Sequence, residues 1–338
     1  MAFVFNAWYM AAWMDELVHG PVGRTILGRP LVIFKTTSGD IGILNDACPH
    51  RAVPLSRGSV AGDHIRCAYH ALEFDVAGVC RRNPHVEGPA DRIKTRSYAV
   101  AQRYGMVWVW MGEPAQADPN AIVDYGWCDD PARFAVATGY VNIAADYRLV
   151  IDNLMDLAHA EYIHQTTVGT PGAASAQRAE VTKGEGTVSV NSAWLDLPPS
   201  AAVRQMWTRS ERVDQYQDMT WRSVSNLFLD VSVTAPGSPR TSGLRLPSAH
   251  ILTPETDGST HYFWASGRDF EIDNGALTRI FGQTVGAAFS AEDKPILEEA
   301  QRMLNVTHAR LLNLTPGDAG SARVRIEIDR LVSSETAT

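Results

Sequence analysis

The sequence predicts an α+β chain: an all-β domain first, then a domain that mixes strands and helices. Three observations lead to that expectation. Residues 23–110 are a succession of strand-length apolar runs broken by Gly, Asp and Pro. Near residue 147 the apolar period lengthens to that of a helix. Strands then return between about 185 and 266, before a long helical segment in the last third. With 338 residues there is length for two ordinary domains, each with its own core. Hydrophobic content of 45% and charge of 20% are those of a globular chain.

The elements follow in order. "PLVIFKT", "GILND", "RSYAVAQRYG" and "MVWVWMG" alternate or run apolar at strand length, which marks the first domain as residues 1–115. "GEPAQADPNAIVDYG" is rich in Pro, Asp and Ala and reads as a connection, residues 116–140. In the second domain, residues 141–338, "DYRLVIDNLMDLAHAEYIH" is helical, with Leu149, Leu154, Leu157 and Ile163 able to share a buried side. "TVSVNSAWL", "LFLDVSVTA" and "THYFWASG" are strands. "SAEDKPILEEAQRMLN" is a helix for which Ser290 is the expected N-cap.

Composition excludes several roles. The formal net charge is −8 and no long basic run occurs, so nucleic acid is not an expected partner. "MAFVFNAWYMAAWMDELVHG" lacks a basic lead and a cleavage site, and no apolar stretch reaches eighteen residues; neither export nor a membrane span is expected. That points to the cytoplasm, where thiols stay reduced and paired Cys and His suggest metal rather than disulfides.

The segment "CPHRAVPLSRGSVAGDHIRCAYH" uses two of the chain's four cysteines, as Cys-x-His, sixteen residues, Cys-x-x-His. Zinc is the rival ligand for such a set, but zinc fingers group their cysteines at one end and their histidines at the other. Here each half supplies one of each. The mixed halves suit a two-iron cluster, with Cys48 and Cys67 on one iron and His50 and His70 on the other. Neutral imidazoles in place of two thiolates raise the potential to roughly −150 to +300 mV, from about −400 mV for all-cysteine clusters. Cys80 and Cys128 match no part of this pattern and read as ordinary thiols. His85, His19, His64, His261 and His308 read as surface or structural residues.

A cluster of this kind relays electrons, and "DNLMDLAHAEYIH" offers a destination. Asn153, Asp156 and His159 lie three apart, one polar stripe on a helix beside apolar Leu154, Met155 and Leu157. His159 and His164 are about 140° apart on a straight helix, so a bend or a helix end is expected between them. Two histidines and one carboxylate on one face of an iron, with other positions open, make a mononuclear oxygenase site. The carboxylate must come from elsewhere. Asp293 is the choice and Glu292 its neighbour and competitor; Ser290-x-x-Asp293 also reads as a capping box.

The pattern Cys-x-His-x16-Cys-x-x-His resembles the Rieske [2Fe–2S] motif. The whole chain, from "NAWYMAAW" through "CPHRAVPLSRG", "CAYHALEFD", "YGMVWVWMG" and "HILTPET" to "ARVRIEIDRLV", is similar to Rieske non-haem iron oxygenase α-subunits, most of all those of the vanillate and dicamba O-demethylase type. The resemblance implies a Rieske domain followed by a catalytic domain whose antiparallel sheet wraps around helices (helix-grip, START-like). It implies that His159, His164 and Asp293 bind Fe(II), that Asn153 lies beside the iron, and that Asp156 bridges to His70 of a neighbouring subunit in a head-to-tail homotrimer. It places Asp230, His250 and Phe281 near substrate-contacting positions. Asp230 stands where the dicamba enzyme has an amide, and a carboxylate there would repel an anionic substrate. Glycines that commonly follow the cluster histidines in this family are replaced by Ala52 and Ala71.

No G-x-G-x-x-G fingerprint follows a strand, so electrons are expected from a separate NAD(P)H-dependent reductase, through flavin or ferredoxin carriers. The expected activity is the O2-dependent O-demethylation of a small vanillate- or dicamba-like aromatic. Hydroxylation of a methyl or ring carbon and N-dealkylation of an aromatic amide fit the same metals. A Rieske electron carrier and a zinc hydrolase are the readings from other classes.

Overall fold

The computed structural model describes residues 3–87, 90–311 and 315–336. The chain forms two compact units, Met1–Ile122 with Thr253–Asp257, and Val123–Leu252 with Gly258–Thr338. The division at 122 falls inside the stretch expected to be a connection. That the short segment 253–257 groups with the first unit has no signal in the sequence.

The strands described in the first unit are β1 (Trp8–Trp13), β2 (Val22–Ile26), β3 (Arg29–Lys35), β4 (Ile41–Asn45), β5 (Ser59–Ala61), β6 (His64–Arg66), β7 (Glu73–Phe74), β8 (Cys80–Arg82), β9 (Val100–Arg103) and β10 (Met106–Trp110). They make three small antiparallel sheets, ordered β1-β10-β9, β2-β3-β4 and β5-β6-β7-β8. Every residue of "MVWVW" in β10 is buried, as a strand covered on both faces requires. Phe34, Leu44, Leu55, Ile65 and Phe74 form a core that also contains Cys48 and Cys67. The cluster candidates therefore sit on turns whose cysteines are packed into the core of this unit.

In the second unit β11 (Ala135–Ile143), β12 (Arg178–Gly184), β13 (Thr187–Leu197), β14 (Val213–Arg222), β15 (Asn226–Thr234), β16 (Leu244–Thr256) and β17 (Ser259–Arg268) form one antiparallel sheet, ordered β11-β17-β16-β15-β14-β13-β12. Alternation is clean in β13, where Val188, Val190, Ser192 and Trp194 are buried and their neighbours are not. The helices are α1 (Tyr147–Met155), the short α2 (Ala160–Ile163), α3 (Ala173–Ala176) and α4 (Ala201–Arg204), then α5 (Gly275–Ala287), α6 (Lys294–Thr307) and α7 (Asp318–Thr336). Asp146 caps α1 by accepting from the Arg148 N–H at 2.8 Å. A Cβ at Gly139 of β11 would stand 2.3 Å from the Trp264 ring, so only glycine lets that indole lie flat on the strand. No described helix is long and apolar enough to cross a membrane.

Between α5 and α6 the backbone widens into a π turn, Ala288–Asp293. Pro295 just beyond it has no N–H to give to the helix behind, which favours a break in the regular ladder at this point. This corrects the expected helix start. Ser290 is no N-cap; it lies inside the π turn and its hydroxyl donates to the Gly286 carbonyl at 2.7 Å. Asp293 makes no capping hydrogen bond either, which leaves its carboxylate for other work.

Candidate metal centres

The two cysteine loops share one backbone pattern. Cys48 N–H donates to Val53 O at 2.9 Å and Ala52 N–H donates back to Cys48 O at 2.8 Å. Cys67 N–H donates to Leu72 O at 2.9 Å and Ala71 N–H to Cys67 O at 3.1 Å. Closing each turn puts the fifth residue in the left-handed region, Ala52 at φ 55° and Ala71 at φ 54°. The tight loops thus survive without the glycines, at the cost of strain.

These turns gather the donor set. Both thiols are buried, and burial pushes the Cys48 thiol up, with the neighbouring Cys67 thiol adding to it. The His50 and His70 rings lie 4.5 Å apart between centroids. Burial, then the neighbouring His50, holds His70 below the ordinary imidazole range, in the neutral form that binds metal. His70 Nδ1 is buried without a hydrogen-bond partner. Two adjoining thiols, two adjoining rings and one orphaned ring nitrogen fit a [2Fe–2S] group held by two sulfurs and two nitrogens. His85, read as a surface or structural residue, donates from Nε2 to the His70 carbonyl at 3.1 Å and steadies that turn. Cys80 is apart from this set, with its Sγ on Arg82 O at 3.3 Å. Cys128 also stays outside, its thiol pushed up by burial.

The second set begins where α1 stops. Asp156 leaves the helix in an extended conformation (φ −115°, ψ 95°) and caps the next turn by accepting from Ala158 N–H at 3.0 Å. A 3-10 turn, Leu157–His159, and then α2 follow, and His164 stands at the end of α2. The chain therefore bends ahead of His159, at Asp156, and the helix ends just before His164. Asn153 remains on α1, so the expected three-residue stripe is interrupted at Asp156.

Each histidine is oriented through Nδ1. His159 Nδ1–H donates to the Asp156 carbonyl at 2.5 Å, and His164 Nδ1–H donates to Glu292 Oε2 at 2.8 Å. Both Nε2 atoms are thereby left facing Asp293, whose Oδ1 lies 3.6 Å from His159 Nε2 and 3.3 Å from His164 Nε2. All three ligand atoms lie within 4.8 Å of one another. Asn153 Nδ2 donates to Asp293 Oδ1 at 3.1 Å. Burial holds His159 below the ordinary range despite Asp293. For His164 burial is outweighed by the Asp293 and Glu292 carboxylates, and its pKa rises. Two Nε2 lone pairs and one buried carboxylate oxygen around a common point fit a divalent iron with open positions.

Glu292, the competitor of Asp293, plays a different part. It accepts from His164, from Thr166 Oγ1 at 2.9 Å and from Thr167 Oγ1 at 2.5 Å. Burial would raise its pKa, but these donors, Thr167 foremost, hold it below the usual carboxylate range.

Beside these groups lies a cavity of about 120 Å³ between the sheet and the helices. Leu229 and Val231 of β15, Leu246 of β16, Phe281 and Val285 of α5, and Phe289 of the π turn are part of its apolar wall. His250 and Phe281 are in the lining; Asp230 is not. Strand alternation turns Leu229 and Val231 inward and Asp230 to the opposite face, where Arg245 pairs it at 3.0 and 3.3 Å. The repulsion expected from Asp230 is thus absent. Buried His250 shares a hydrogen bond of 2.6 Å between Nδ1 and Tyr262 Oη; with the Tyr262 hydroxyl as donor the ring proton stands on Nε2, which has no partner. Burial pulls its pKa down to about 4.

Residues 7–99 match the Rieske [2Fe-2S] domain family, and residues 143–334 match the vanillate O-demethylase oxygenase C-terminal domain family. The chain is 38% identical to the oxygenase component of dicamba O-demethylase from Stenotrophomonas maltophilia, with all of both chains covered. It is 36% identical to the oxygenase component of chloroacetanilide N-alkylformylase from Rhizorhabdus wittichii, over 98% of this chain and 95% of that one. It is 34% identical to a vanillate O-demethylase oxygenase subunit of Pseudomonas sp., over 98% and 96%. The crystal structure of dicamba monooxygenase bound to dicamba superimposes with a TM-score of 0.93 at 36% identity, covering both chains fully. With the same two-part fold and full-length similarity, the chain belongs to the Rieske non-haem iron oxygenases, as an oxygenase component of the vanillate and dicamba O-demethylase group.

Proposed function

We propose that this oxygenase component removes the methyl group of a small methoxylated aromatic, with Cys48, His50, Cys67 and His70 holding the cluster and His159, His164 and Asp293 holding Fe(II). The observation that carries the reading is that hydrogen bonds at Nδ1 of both His159 and His164 leave both Nε2 atoms facing Asp293 Oδ1. The iron, when bound, supplies O2 activation with electrons from a separate reductase. One oxygen atom enters the methyl C–H bond and the other leaves as water, using two electrons and two protons. The hemiacetal so formed on the substrate collapses to formaldehyde and a hydroxyl compound.

The chain's own groups do the rest. Asn153 steadies Asp293, and the Asp156 carbonyl holds the His159 ring. The apolar wall excludes water and His250 Nε2–H offers one oriented donor. Asp156, at the break after α1, is proposed to reach His70 of a neighbouring copy in a head-to-tail homotrimer. N-dealkylation is the second reading, favoured by the 36% identity to an N-alkylformylase.

The test supplies purified protein with a reductase, NADH and a panel of methoxy-, methyl- and N-alkyl-arenes. Formaldehyde released in step with substrate loss is expected, and cis-diol formation instead would overturn O-demethylation. His159→Ala should abolish turnover and leave the cluster absorption intact.

A further inference from the structure

Gly317, one residue before α7, stands against the Asp156 carboxylate. A Cβ there would lie 2.6 Å from Asp156 Oδ1, 2.7 Å from Cγ and 2.8 Å from Oδ2, closer than packed atoms approach. Gly317 is outside the left-handed region, so it supplies space rather than a special backbone conformation. The turn is also tied in place. Thr315 N–H donates to Asp318 Oδ2 at 2.7 Å, and further along α7 Arg325 holds Asp152 of α1 at 2.9 and 3.0 Å. Between them Gly320 brings α7 close to β13 and the end of α1. A Cβ on Gly320 would meet Val190 Cγ2 at 2.4 Å and Met155 Cε at 3.3 Å.

Asp156 does two things with separate atoms. Its carbonyl accepts from His159 Nδ1–H and so orients a candidate iron ligand of the same chain. Its carboxylate Oδ1 accepts from Ala158 N–H at 3.0 Å, while Oδ2 accepts no hydrogen bond from the described residues. The three atoms nearest the missing Gly317 side chain all belong to that carboxylate. A methyl at 317 would therefore displace the Asp156 side chain and leave its carbonyl on His159.

We propose that Gly317 is a positioning residue for electron transfer between subunits. By lacking a side chain it lets the Asp156 carboxylate stand where Oδ2 can reach His70 of a neighbouring copy. This rests on the reading that Asp156 makes that bridge. The start of the C-terminal helix thereby governs how readily one electron passes from a reduced cluster to the next copy's iron site.

The experiment uses the full assembled chain and compares wild type, Gly317→Ala, Asp156→Asn, the two combined, and Gly320→Ala. The first readout is the cluster's midpoint potential with Fe(II) left out. A carboxylate beside His70 stabilises the more positive, oxidised cluster, so moving it away should raise the potential. Gly317→Ala should shift it upward, in the direction of Asp156→Asn, and should add nothing in the combined variant. Fe(II) affinity by chelator competition should stay at the wild-type level, since the His159 contact is untouched. With iron restored and the methoxyarene turned over fastest in the panel, kcat should fall about 10- to 100-fold with KM within about twofold. Gly320→Ala, which crowds Val190 rather than Asp156, should lower the thermal midpoint and leave the potential alone. If Gly317→Ala does not fold, Asp156→Glu decides: its longer arm has no room beside Gly317, so the potential should rise although the charge is kept. A wild-type potential in the variant that decides, or an equal shift in Gly320→Ala, overturns the inference while the Asp156→Asn shift keeps the bridge. An unshifted Asp156→Asn removes the bridge, and the inference with it.

Discussion

Glu292 and Asp293, neighbours in sequence, address opposite nitrogens of the same imidazole: Glu292 Oε2 lies 2.8 Å from His164 Nδ1, and Asp293 Oδ1 lies 3.3 Å from His164 Nε2. The first fixes the tautomer and the ring plane; the second faces the nitrogen proposed to bind iron. A carboxylate behind a metal-binding histidine also raises its basicity. Glu292→Ala should therefore weaken Fe(II) binding about 10- to 100-fold. Glu292→Gln, whose amide oxygen still accepts from Nδ1–H, should fall between. Chelator competition reads the affinity, and an unchanged cluster spectrum shows that the first unit is intact.

The left-handed alanines make the cluster loops strained. A non-glycine residue in that region costs roughly 1–2 kcal/mol, and glycine there gives back about 0.4–1 kcal/mol through a freer unfolded chain. Ala52→Gly and Ala71→Gly should each gain about 0.5–1 kcal/mol net. The midpoint for thermal loss of cluster absorbance should rise with each; a fall would mean that the alanine methyls make packing contacts that outweigh the strain.

Acid should loosen the cluster unit through Glu73. Burial alone would raise its pKa, but the guanidiniums of Arg82 at 2.9 Å and Arg66 at 2.8 Å hold it below the ordinary 4.5. A depressed carboxylate contributes its stability above the unfolded value and loses it as pH falls through the lower folded value. Wild-type stability should thus decline from about pH 4.5 downward more steeply than that of Glu73→Gln. Parallel curves in acid titrations of the two proteins would remove Glu73 from the account.

Asp230→Asn tests the strand register. With Asp230 on the outer face, KM for any substrate should stay within about twofold, and stability should change by less than about 1 kcal/mol, as for partly exposed ion pairs. Leu229→Asn, one position away and facing the cavity, should raise KM strongly. The reverse ranking would put the strand in the opposite register.

What could be read from the chain beforehand divides along physical lines. Cys48, His50, Cys67 and His70 are close in sequence, so spacing alone carries their chemistry. His159 and His164 were legible as a pair, but not the place of the bend, because Asp156 breaks the helix through a local cap that ordinary helical periodicity does not register. Asp293 was chosen because the segment lacked a third ligand, with Glu292 as its competitor, and the resemblance strengthened the choice. Its mistaken alternative, a cap opened by Ser290, arose because nothing in "SAEDKP" signals a π turn other than Pro295. Asp230 was placed by resemblance, and strand alternation turns it to the face opposite Leu229 and Val231, where Arg245 pairs it. Glu292 was considered only as a rival ligand, since its partners Thr166 and Thr167 lie more than a hundred residues away.

Along α5, the π turn and α6, the buried positions fall at a constant interval: 281, 285, 289, 293, 297 and 301, with Ala288 beside them. In an unbroken α-helix each step of four overshoots a full turn by about 40°, so the line would wind some 200° around the axis over this span. The wider turn at 288–293 takes back part of that winding. One helix can then aim three cavity-wall residues, the Asp293 carboxylate that faces both imidazole Nε2 atoms, and Gln301, which receives the Asp146 N–H at 2.9 Å, along a single inward line. The residue count of this segment is thus itself a specification of the site, and adding or removing one residue there should rotate Asp293 out of line even where no side chain is changed.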